Sequence, residues 1–160
     1  MSTITPIGPQ DVIVALERHP AIVHSLLAEF EPERIKQRPK PGKWSAHEHA
    51  CHLAEVHPLF FSRLDVMLAE GHPTIEPYFP DQAHEDGMLL DRDLEIEMAR
   101  FDADRQLLVD RLRSLSPDDW KRTAEHAEYR RYDVFVMLRH LAMHDLFHAY
   151  RIEELLLAHD

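Results

Sequence analysis

Histidine is unusually frequent in this chain, at 13 of 160 residues. It is the commonest metal ligand and the side chain that titrates near neutral pH. His140, His144 and His148 recur every fourth residue. On a helix they form one slowly drifting stripe, with successive Cβ atoms about 5–6 Å apart. That separation lets two imidazoles reach one ion. Leu141, Phe147 and Ile152 surround the stripe, which argues against a solvent face. A buried imidazole with an unmet nitrogen costs about 1–3 kcal/mol. A metal ion would receive such nitrogens, and so would backbone carbonyls in an ordinary core. The spacing alone leaves open which pair of the stripe would bind.

A tight site needs a donor from a second element. His47, His49, His52 and His57 are clustered. His52 lies one turn after Glu48 and far enough into the next helix to face the interior. His47 and His49 fall in the first turn and are expected to reach solvent. Cys51 points about 100° away from His52 and reads as a small core residue. Glu48 reads as a cap rather than a base, and Trp44 and Trp120 as packing anchors.

Four helical stretches must position these residues. The first runs from about Gln10 to Phe30, where Pro20 predicts a kink or two short helices. The second runs from Ser45 to about Glu70. Ser45 and Glu48 form a capping box, and Pro58 predicts a bend. The third runs from Asp91 to about Leu115, with Ile96 and Leu107 among its apolar positions. The fourth starts at a cap on Asp133, ends near Ala158, and reads as buried over most of its surface. Residues 71–90 are a long irregular connection between helices 2 and 3, which could cover a site mouth. Ser116 to Trp120 reads as a short helical turn, and residues 121–132 as a polar loop with a possible small hairpin. Strand signals are nearly absent. The expected fold is all-α, a four-helix bundle, in a single domain over residues 1–160.

The composition, 44% hydrophobic and 29% charged, is that of a globular chain. No segment approaches the roughly 18 apolar residues of a membrane span, and Met1 to Gln10 does not read as a signal peptide. The single cysteine excludes an intrachain disulfide and agrees with a cytoplasmic location. The net charge of -11 disfavours nucleic acid and anionic lipid as partners.

Trp44-Ser45-x-x-Glu48-x-x-x-His52-Leu53, with His140-x-x-x-His144-Asp145-x-x-His148, resembles the DinB-like metalloprotein family over nearly the whole chain. The resemblance implies a four-helix bundle holding one divalent metal ion (zinc, nickel or iron) on His52, His144 and His148. It also implies a frequent homodimer, and relatives that act as thiol S-transferases. The function expected is metal-activated hydrolysis or thiol transfer on a small-molecule substrate, with a low-molecular-weight thiol as a further cofactor in the second case. Three neutral histidines leave a coordination position open, the catalytic pattern. Asp145 and Glu55 are candidates for proton transfer or for supporting a ligand. His140 could line the pocket or hydrogen-bond a ligand. The alternative is a non-catalytic metal-binding or partner-binding module, marked by a fourth protein ligand such as Asp145 or His140. His144-Asp145-x-x-His148 also resembles the zinc-protease H-E-x-x-H pattern. The shorter acid and the lack of a substrate-binding strand speak against that reading.

Overall fold

A computed structural model describes residues 4–159. The outermost ends of the expected domain and of the expected leaderless start, residues 1–3 and 160, lie outside the described residues.

Helix α1 (Pro9–Ala28) begins with proline in its first turn, and Asp11 accepts from the Gly8 N–H at 2.8 Å. It runs unbroken through Pro20 rather than splitting into two short helices. Pro20 has no N–H for the Leu16 carbonyl one turn back. Arg105 Nη1 supplies the missing donor at 2.9 Å.

Helix α2 (Ala46–Glu55) is started by the expected capping box. Glu48 N–H donates to Ser45 Oγ at 3.2 Å, and Ser45 N–H donates to Glu48 Oε2 at 2.9 Å. Arg38 clamps the same carboxylate from the preceding connector. The chain turns at Val56, and α3 (His57–Ala69) carries Pro58 in its first turn. Pro58 cannot donate to the Ala54 carbonyl, so His57 Nδ1 donates to it at 3.4 Å.

Residues 71–90 are not wholly irregular. A two-residue strand β1 (Thr74–Ile75) is followed by a short helix α4 (Gln82–Glu85) and a 3₁₀ turn (Met88–Asp91). Helix α5 (Leu94–Arg113) is capped by Asp93. After a 3₁₀ turn at Asp119–Lys121, strand β2 (Glu125–His126) pairs in parallel with β1. This ties the long connection to the loop before the last helix, a pairing the sequence did not signal. Residues 121–132 do close like a hairpin, through the Thr123–Asp133 bridge. Helix α6 (Val134–Leu157) starts on Asp133, which accepts from Val136 N–H at 2.7 Å.

α1 packs on α6 and α5, and α2 packs on α5 and α6, which closes a four-helix ring in the order α1–α6–α2–α5. α6 is less buried than its composition predicts. Met143, Leu146, Phe147, Tyr150 and Leu157 are exposed, because its outer face has no neighbour in the ring. Ile96 and Leu107 on α5 are exposed for the same reason.

The core has two apolar halves. Leu16, Phe60, Leu108 and Leu141 belong to one, and Val23, Leu53, Phe101 and Ile152 to the other. The helices change from one half to the other at or near His19, His57, Arg105 and Asp145, all of them buried. These four form a polar layer. Arg105 donates to Asp145 through Nη1 at 2.7 Å and Nη2 at 2.9 Å, and to His57 Nε2 through Nε at 3.1 Å. His19 Nδ1 meets Asp145 at 3.3 Å. One arginine thus satisfies the ion pair and joins both segments in which a proline leaves a carbonyl without its helical donor. Among the described residues, no helix is long and apolar enough to cross a membrane.

Candidate metal centre

α2 and α6 run side by side, and their facing surfaces bring His52, His144 and His148 together. Nε2 of His144 lies 3.2 Å from Nε2 of His52 and 3.1 Å from Nε2 of His148. One nitrogen from each of the three lies within 4.8 Å of the others. Donors about 2.0–2.1 Å from one ion in a tetrahedral arrangement stand about 3.3 Å apart, close to the two separations seen.

Proton counting shows why this cluster is unlike a satisfied core group. A neutral imidazole carries one N–H. His52 Nδ1 faces Glu55 Oε2 at 3.3 Å and is therefore the donor, which leaves its Nε2 bare. His148 Nδ1 meets His49 Nδ1 at 2.8 Å, so His148 can likewise present a bare Nε2. His144 Nδ1 is the buried side-chain nitrogen left without a partner among the described residues. If His144 carries its proton on Nε2, it can donate to only one neighbour. If it carries it on Nδ1, three lone pairs face one another. A bound cation resolves the second arrangement at the expense of a single unpaired N–H. Burial, reinforced by the neighbouring histidines, pushes His144 down to about 4 and His148 further below the usual range. Both are therefore neutral donors at pH 7. The donor set fits a divalent ion of the zinc, nickel or iron type.

The supporting groups differ from expectation in several places. Glu55 holds His52 and also accepts from His84 Nε2, at 2.9 and 3.1 Å. His84 comes from α4 in the long connection and was not foreseen. The signal available was Asp81 three residues earlier, which caps α4 and meets His84 Nδ1 at 2.9 Å. Burial opposes charge on both partners, but the hydrogen bonds win. They hold Glu55 below and His84 above their usual ranges. His52, Glu55 and His84 also satisfy the spacing for an ion, yet the hydrogen bonds of Glu55 to both rings and of Asp81 to His84 already complete that group.

Asp145 does not reach the site. It is one residue past His144, about 100° around the helix, and is committed to Arg105 and His19. His140 is exposed on the cavity wall beside Tyr129, at 5.5 Å between ring centroids, and outside the ligand cluster. His47 is buried rather than solvated, its Nε2 donating to the Leu89 carbonyl at 3.1 Å. His49 is likewise turned inward, against His148. Trp44 is more than a packing anchor. Its ring leans on His52 at 4.9 Å and stacks on His148 at 6.0 Å. Trp120 is buried in the core as expected. Glu48 is the cap that Arg38 holds, and the Cys51 thiol is fully buried and pushed up to about 12 by that burial.

A cavity of about 410 Å³ opens over the triad, with Tyr78, Tyr129, Tyr132 and Phe60 among its walls. The long connection contributes Tyr78 and Pro80, so it does border the site mouth.

This bundle with its histidine cluster defines the class. The profile of the DinB superfamily matches residues 15–152, and the chain belongs to that superfamily. Among individual relatives, a protein of Oceanobacillus iheyensis named as a candidate metal-dependent hydrolase is 29% identical over 127 residues, which cover 78% of this chain and 72% of that protein. YfiT from Bacillus subtilis is described as a probable metal-dependent hydrolase with an unusual four-helix bundle topology. It superposes with a TM-score of 0.82 at 22% identity, over 97% of this chain and 89% of its own. The colibactin self-resistance protein ClbS, solved with double-stranded DNA, superposes with a TM-score of 0.71 at 18% identity, over 98% of this chain and all of its own. At these identities the two structures establish the shared fold.

Proposed function

We propose that this protein is a metal-dependent enzyme in which His52, His144 and His148 hold one divalent ion for hydrolysis of, or thiol transfer to, a small molecule. The observation that carries this reading is the cluster's composition: three imidazoles, an open cavity, and no fourth His, Cys, Asp or Glu donor among the described residues. A structural site would be closed by such a donor. Asp145 and His140, which could have closed it, are placed elsewhere. A bound ion would supply Lewis acidity and lower the pKa of a water or thiol. The chain's own contribution is positional. Glu55 fixes the tautomer and orientation of His52, His49 orients the ring of His148, and Trp44 walls off one side.

The relatives' names favour hydrolysis, and the family resemblance supports thiol transfer with a low-molecular-weight thiol. A cytoplasmic setting fits the single buried thiol. A homodimer would use the exposed face of α6 around Met143, Phe147 and Tyr150. The net charge weighs against a nucleic-acid partner.

The test is turnover by zinc-, nickel- and iron(II)-loaded protein on an ester and amide panel and on a thiol-plus-electrophile panel. Turnover that disappears in a His144→Ala, His148→Ala variant is the expected result. Loaded protein inert on both panels would leave the non-catalytic metal-binding module in its place.

A further inference from the structure

A second chamber of about 690 Å³ adjoins the cavity over the triad, and the two share Trp44, His49, Pro80 and Phe147 as walls. Their chemistry differs. The first chamber is walled by rings: Tyr129 and Tyr132 lie parallel within 7°, and His126 sits 4.6 and 4.7 Å from them. Its one arginine, Arg63, already donates to Tyr132 Oη at 3.1 Å and to the Glu76 carbonyl at 2.7 Å. The second chamber is lined by Lys40, Lys43 and Arg151. Arg151 pairs with Glu154 at 2.7 Å. Lys40 and Lys43 have no side-chain partner among the described residues, and Glu85 is the remaining acid of the lining. In a chain of net charge -11, a lining with Lys40, Lys43 and Arg151 against Glu85 and Glu154 is a local reversal of sign. The two ammonium groups without a carboxylate partner are free to meet an anion.

We propose that the ligand of this site is an elongated organic anion. Its flat, apolar end occupies the ring-walled chamber. Its carboxylate or phosphate reaches past Trp44 to Lys40 and Lys43, and its reactive atom lies over the triad between them. The inference rests on the triad being the reactive centre, and it deepens that reading by naming the substrate class.

The test is binding of ω-phenylalkanoates of two to eight methylenes, the matching phosphate monoesters, and the matching neutral alcohols. Binding is measured by calorimetry on the full chain, both metal-loaded and after chelation. One or both anions of the best length should bind about five- to tenfold more tightly than the alcohol. The preference should fall with added salt and vanish in Lys40→Gln, Lys43→Gln, with metal content and alcohol binding unchanged. Comparison of carboxylate with phosphate identifies the preferred head group. Tyr129→Ala should weaken acid and alcohol alike. Equal binding of alcohol and anions, or a preference that survives in the lysine variant, would overturn the proposal. Because the chelated protein is included, anion selectivity without metal uptake would separate a failure of the metal reading from a failure of this one.

Discussion

Two buried polar clusters flank α6, and they begin one residue apart. Asp145 faces the bundle interior and enters a closed network in which Arg105, His19 and His57 account for one another's hydrogen bonds and for the carbonyls freed by two prolines. His144 faces α2 and enters a cluster that protein atoms alone do not complete. The first has the form of a structural polar layer, and the second has the donor set of the proposed metal site. Burial and polarity are common to both, so unmet bonding capacity is what sets the proposed metal site apart.

The largest effect expected is on the closed cluster. Arg105→Ala or Asp145→Ala strands a buried charge and should cost about 3–5 kcal/mol of stability in denaturant melts. A loss below about 1 kcal/mol would break the distinction. Next, His144→Ala or His148→Ala should change the stability of metal-free protein by only about 1 kcal/mol, while metal affinity falls more than about a hundredfold. Equal destabilisation of both clusters in the absence of metal would show that the triad is structural too. A smaller effect is expected from Glu55→Gln, which keeps the shape but weakens the hold on His52. Metal affinity should drop about 10- to 100-fold in a competition titration.

The smallest effect concerns pH. Burial alone would raise Glu48, but hydrogen bonds from Arg38 and Ser45 win and hold it below its usual range. A carboxylate lowered in the folded state adds stability above its unfolded pKa, near 4.5, and loses it as pH falls through the folded value. Metal-free Glu48→Gln should therefore be less stable than the native chain by about 1 kcal/mol at pH 7. The gap should narrow below about pH 4.5. A gap independent of pH would assign the effect to packing.

Much of this arrangement was legible in the sequence because it is local. The four-residue spacing of His140, His144 and His148, the Ser45–Glu48 box and the Asp133 cap all act within a turn or two of helix. What escaped depends on distant segments meeting. His84 reaches Glu55 only because a connection without helical periodicity folds back over α2. Arg105 and Asp145 are 40 residues apart and share no motif. His47 is buried because the Met88–Asp91 turn lies against it. The apolar composition of α6 overstated its burial, since composition does not say which side a ring of helices leaves open.

The most direct measurement is elemental analysis of the purified protein beside its His144→Ala, His148→Ala variant, each as isolated and after incubation with zinc, nickel and iron(II). One equivalent of divalent metal in the native chain, absent from the variant, is the predicted result. A native chain that takes up no metal, or a variant that retains it, would contradict the account.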